Sequence, residues 1–179
     1  MKIKMKKIIA SFVVIILVAV GCKINSSNNK GTFLKVTFEP KSGSTVSGEG
    51  TFVENNGKVT FTANFKGLKP GIHAIHIHEK SDCSSPDGTS AGGHWNPEFK
   101  KHGKWGEAEY HKGDIGNFTA DENGKGSITL QTDEWCIGCE DETKNILNKS
   151  IIVHANPDDF VSQPTGNAGG RVACSGIIR

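Results

Sequence analysis

Apolar and polar residues alternate with a period of two in successive short stretches, and this pattern confines the chain to β structure. Leu34, Val36 and Phe38 alternate with Lys35 and Thr37. Val59, Phe61, Ala63 and Phe65 alternate with Lys58, Thr60, Thr62 and Asn64. A strand turns successive side chains to opposite faces, so the spacing marks strands buried on one side. Asn56-Gly57 and Asn123-Gly124 each separate two such runs and read as hairpin tips, because Asn and Gly tolerate positive φ. Further strands are expected at 46–53, 71–79, 114–120, 125–131, 149–154 and 171–178. No long segment carries a helical period. The expectation is all-β: about eight short antiparallel strands in a barrel or sandwich.

The first residues are of another kind. Lys2, Lys4, Lys6 and Lys7 precede Ile8–Val20, thirteen residues that are apolar except for Ser11. As a helix this run spans about 20 Å, short of a hydrocarbon core of about 30 Å. Residues 1–21 therefore read as a secretory signal peptide. Val18-Ala19-Val20-Gly21-Cys22 resembles a bacterial lipoprotein site, in which the cysteine is lipidated and anchors the protein to a membrane. Ala19 stands where such sites usually carry Leu, and ordinary cleavage nearby is the competing reading. Residues 22–31, rich in Asn and Ser, read as a flexible tether, and 32–179 as the folded domain. The expected location is the periplasm or cell envelope, where disulfides persist. Without the four leader lysines, 17 basic residues face 19 acidic ones. No basic stripe is visible, so a nucleic-acid partner is not expected.

Two stretches break the strand rhythm: Lys80–Gly113 and Ala155–Gly170, both rich in glycine and polar residues. Long irregular segments within one domain are usually functional. The histidines coincide with them. His76 and His78 share one face of the 71–79 strand, and His73 lies on the other with Ile75 and Ile77. His94, His102, His111 and Asp114 come from the long loop or its exit, and His154 ends a strand. Imidazole suits copper and zinc, and a carboxylate suits zinc. Six histidines and an aspartate exceed the needs of one tetrahedral site, so two adjacent metals are expected.

Setting Cys22 aside, four cysteines remain, and they allow three pairings. Cys136-Ile137-Gly138-Cys139 is open to three readings: redox pair, metal clip or small disulfide. In an exported chain without a thioredoxin-like pattern the local disulfide leads.

The segments His73–Glu79, Ser90–Pro97, Gly113–Asn117 and Gly166–Cys174 resemble the copper/zinc superoxide dismutase family in residues, order and spacing. The resemblance covers about 32–178 and implies a Greek-key barrel with two long functional loops. It implies one copper per subunit on His76, His78, His94 and His154, and one zinc on His94, His102, His111 and Asp114. His94 would bridge them and take part in catalysis. Asp158 would link ligands of the two sites, and His73 would be structural. Cys83 and Cys174 would form the family disulfide. Arg171 would guide the superoxide substrate, and Thr165 would narrow its channel. The run Phe160–Thr165 carries no charge, unlike the longer loops of the best-known eukaryotic members. Metal buffering without turnover is the rival reading. Non-enzymatic relatives tend to have lost copper ligands or the arginine, and this chain keeps them all. The resemblance leaves the oligomeric state open, a homodimer included.

Overall fold

The alternating runs become the walls of a closed barrel in the computed structural model, which describes residues 31–179. The strands are β1 (Thr32–Pro40), β2 (Ser47–Asn55), β3 (Lys58–Lys66), β4 (Gly71–His78), β5 (Gly116–Ala120), β6 (Gly126–Thr132), β7 (Lys149–His154) and β8 (Arg171–Ile177). They pair antiparallel in the order β1-β2-β3-β6-β5-β4-β7-β8, and β8 closes on β1. The crossings from β3 to β6 and from β4 to β7 make the connectivity a Greek key. Alternation places Val59, Phe61, Ala63 and Phe65 of β3 inside. Phe52 of β2 stacks on Phe61 at 4.6 Å between ring centroids.

The two Asn-Gly signals have different outcomes. Asn56 (φ 49°) and Gly57 (φ 73°) form the two-residue tip between β2 and β3. At Asn123-Gly124 only the glycine has positive φ. There the Asp121 carboxylate accepts the backbone N–H groups of Asn123 and Lys125, so the connection is a wider side-chain-capped turn. The strand expected from 114 begins at Gly116 instead. Asp114 belongs to a turn, because its Oδ2 accepts the N–H groups of Gly103 and His111.

A third irregular segment, 133–148, carries the Cys136–Cys139 pair and lies beyond the two irregular stretches expected from the sequence. It is anchored by buried Trp135, Ile137 and Ile146. Cys136–Cys139 closes a small ring within it, and Cys83–Cys174 joins the 79–115 loop to β8. Two disulfides fit an oxidising compartment. The expectations for the leader, Cys22 and residues 22–30 lie outside the described residues. Among the described residues, no helix is long and apolar enough to cross a membrane.

Candidate metal centre

β4 presents His76 and His78 two residues apart, on one face. β7 runs antiparallel beside it with Ile152 opposite His76, and its last residue, His154, comes alongside. The 79–115 loop folds back onto β4. His78 and His94 form an isolated antiparallel bridge, Trp95 N donates to Ile77 O (2.9 Å), and Ile77 N donates to Gly113 O (2.8 Å).

Two clusters result, each with its donor atoms within 4.8 Å of one another: His76, His78, His94 and His154, and His94, His102, His111 and Asp114. All seven residues are buried. His94 belongs to both, with its ring centroid 4.0 Å from that of His76 and 5.4 Å from that of His102.

Five of these rings use one nitrogen on an acceptor outside the cluster. His76 Nε2 donates to Asp158 Oδ2 (2.8 Å), and His102 Nε2 donates to Asp158 Oδ1 (2.9 Å). His78 Nδ1 donates to Gly92 O (3.0 Å), His154 Nδ1 to Gly169 O (3.3 Å) and His111 Nε2 to Lys100 O (3.1 Å). Each acceptor is a carbonyl or carboxylate oxygen, so that nitrogen carries the hydrogen. The other nitrogen of the neutral ring is then a bare lone pair aimed inward. These five inward nitrogens, together with His94 Nε2, are buried without a hydrogen-bond partner. Among the described residues only Ser150 Oγ shares that condition.

A buried polar atom left unpaired costs about 1–3 kcal/mol, so six together point to a ligand that accepts lone pairs. His102 Nδ1 lies 3.0 Å and His111 Nδ1 3.3 Å from Asp114 oxygens, yet neither is aligned for a hydrogen bond. These atoms aim at a common point between them. His94 Nδ1 joins them, 2.8 Å from Asp114 Oδ1. His94 is thus the ring with both nitrogens turned to the clusters. An all-imidazole set and a three-imidazole, one-carboxylate set fit copper and zinc.

The electrostatics agree. Burial pushes His78 and His154 well below the usual imidazole range, and neighbouring histidines add to it. Burial brings His94 down to about 4 against the pull of Asp114. At His102 burial is overcome by the facing carboxylates of Asp114 and Asp158, which raise it to about 9. Burial likewise opposes ionisation of Asp114 and Asp158, but the histidine hydrogen bonds hold both well below the carboxylate range. Once the ligand rings give up their protons to bind, the two buried carboxylates leave negative charge that bound cations would balance.

The supports around the clusters include residues that the sequence did not reveal. Asn117 on β5 holds Asp158 in place: its Nδ2 donates to Asp158 O, and its Oδ1 accepts from Asp158 N, both at 2.8 Å. Gln163 clamps the His102 backbone at both N and O, each at 2.9 Å. Gly166, at φ +66°, lets the chain pass so close that a Cβ there would overlap the Asp158 carboxylate. His73 stands apart, with Nδ1 on His154 O and Nε2 on Lys69 O, both at 2.8 Å, so neither nitrogen is left for a metal.

Arg171 opens β8, and its Nη1 donates to Gly88 O (2.7 Å) and Nη2 to Gly92 O (2.8 Å). Gly92 O also takes His78 Nδ1, so one carbonyl ties the guanidinium to the first cluster. Thr165 lies partly exposed on the 155–170 segment, beside buried Gly166.

Residues 46–178 match the family described as Copper/zinc superoxide dismutase (SODC). "Superoxide dismutase [Cu-Zn] 2" of Aquifex aeolicus (strain VF5) is 40% identical over 139 residues, covering 75% of this chain and 80% of that protein. The crystal structure of the clock protein EA4 superposes with a TM-score of 0.72 at 34% identity, covering 83% of this chain and 96% of that one. With a match over most of its length and a donor set that accounts for all six unpartnered ring nitrogens, the chain belongs to the copper/zinc superoxide dismutase family.

Proposed function

We propose that the protein disproportionates superoxide: two superoxide ions and two protons give dioxygen and hydrogen peroxide. The observation that carries this is the pair of buried donor sets joined through His94. In this reading His76, His78, His94 and His154 hold copper, and His94, His102, His111 and Asp114 hold zinc. When bound, copper supplies a one-electron couple and zinc a fixed charge without redox chemistry. The protein holds the rings ready, because Asp158, Gly92, Gly169 and Lys100 fix which nitrogen is bare. His94 Nε2, with no partner outside the clusters, is the atom that takes a proton in one half-cycle and yields it to peroxide in the next. Arg171, tied to the His78 side of the site, attracts and orients the anion, and its guanidinium stays charged at any working pH. Thr165 narrows the approach.

The two disulfides and the leader support export to the periplasm or cell envelope, with residues 1–21 removed, 22–31 as tether and Cys22 as lipid anchor. Residues 32–179 form the catalytic domain.

Superoxide decay after rapid mixing tests the activity. Protein loaded with both metals should consume superoxide catalytically, and zinc-only protein and His76→Ala should not. Stoichiometric copper binding without turnover would replace the dismutase reading with metal buffering.

A further inference from the structure

The turn after β1 holds a cation that the mechanism does not use. Lys41 follows β1 directly, and its side chain is only 9% exposed. A lysine is almost never buried unless paired. Its ammonium donates to Cys83 O at 2.5 Å. Among the described residues, the carboxylate within salt-bridge reach is Glu39 Oε2, at 3.8 Å and 71% exposed. A neutral carbonyl and a solvent-screened carboxylate leave much of that charge uncancelled.

The surroundings bring the Lys41 stem close to that of Arg171. A Cβ on Gly88 would meet Arg171 Cβ and Cδ at 3.4 Å and Lys41 Cγ at 3.6 Å, so the two stems flank one glycine. The Gly88 carbonyl takes Arg171, and the Cys83 carbonyl, in the same segment, takes Lys41. Backbone bonds hold the arrangement: Lys41 N to Val172 O (3.0 Å) and Ser42 N to Pro86 O (2.8 Å). The acidic group that acts on Arg171 is Asp87, itself exposed. Glycine at 88 lets the two cationic stems approach one another.

We propose that Lys41 is a positioning residue for the substrate anion: a second fixed positive charge that reinforces Arg171 and draws small anions toward the His76–His78–His94–His154 cluster. This rests on the reading of Arg171 as anion guide. It also gives a chain with an uncharged Phe160–Thr165 run another source of attraction.

Azide binding to the copper- and zinc-loaded protein, followed by visible absorption at low and high salt, tests the proposal with a readout separate from turnover. Lys41→Gln keeps a hydrogen-bond donor for Cys83 O but loses the charge, Lys41→Arg keeps the charge, and Lys41→Met loses both. The expectation is that Met and Gln both weaken azide binding about threefold to tenfold at low salt, with the gap closing at high salt, while Arg stays within about twofold. If Gln binds like the parent protein while Met does not, the tie to Cys83 alone matters and the proposal fails. It fails equally if all three bind like the parent. Arg171→Gln separates the two claims. Weakened binding there with unchanged Lys41 variants overturns the Lys41 proposal alone. Unchanged binding there removes the Arg171 reading and the proposal with it.

Discussion

The two donor clusters are held in different ways. His76, His78 and His154 sit on β4 and β7, where the ladder pairs Ile75 with Val153 and His78 with Ser150. Their positions are set by backbone pairing that exists with or without a ligand. His102, His111 and Asp114 sit on a loop whose only regular element is a three-residue turn at Thr89–Ala91. Much of what fixes this loop is the site itself: Asp114 accepts from Gly103 N and His111 N, and Asp158 accepts from His102. The strand cluster is held by sheet pairing, and the loop cluster by side-chain hydrogen bonds within the site. His94 and Asp158 are where the two meet.

Removing one ligand from each cluster gives the largest expected contrast. Asp114→Ala should abolish zinc binding and release backbone hydrogen-exchange protection across 96–113. His154→Ala should abolish copper binding and superoxide turnover while leaving that protection in place. Metal analysis with exchange mass spectrometry checks both, and equal loss of protection in the two variants would break the comparison. Next, Asp158→Asn should weaken both metals about 10–100-fold, because one carboxylate orients a ring in each cluster. Competitive chelator titration measures it, and loss of one metal alone would show that the link is one-sided.

Acid should separate the clusters in a set order. A ligand with raised proton affinity gives up its metal at higher pH, and one with depressed affinity holds on to lower pH. His102, raised to about 9 by its two carboxylates, is in the loop cluster. His78 and His154, lowered by burial, are in the strand cluster. Zinc should therefore leave first as pH falls, and copper only at lower pH. Dialysis at stepped pH with metal analysis shows the order, and copper leaving first would contradict it. The disulfides give a further contrast, in stability rather than in metal affinity. Cys136–Cys139 spans a sequence separation of 3 and Cys83–Cys174 one of 91. On loop-closure entropy, replacing the short one by serines should cost about 2 kcal/mol, and replacing the long one about 4–5 kcal/mol. Denaturant unfolding of the two double variants compares them.

The same division governs what could be read from the sequence. Period-two runs mark β1 and β3, the other six strands lie within two residues of their expected ranges, and His76 and His78 announce their shared face. Loop ligands are visible as residue types and Asp158 through the family resemblance, but Asn117 and Gln163 are not. Asn117 and Gln163 act through hydrogen bonds spanning 41 and 61 residues, and no local pattern encodes that. Segment 133–148 lacked periodicity because it is held by separate anchors. Trp135 packs on Phe52, and its Nε1 donates to Lys112 O at 2.9 Å, tying the segment to the 79–115 loop. Nothing in the sequence marks Lys41, and only the close approach of Cys83 and Gly88 reveals its burial.

The sharing of His94 is tested most directly by placing cobalt(II) in the loop cluster beside copper(II) in the strand cluster and recording the copper electron paramagnetic resonance signal. One imidazole bridging both ions predicts loss of the isolated copper signal when both are bound, and its return when cobalt is omitted. An unperturbed, full-intensity copper signal with both ions present would contradict the shared ligand.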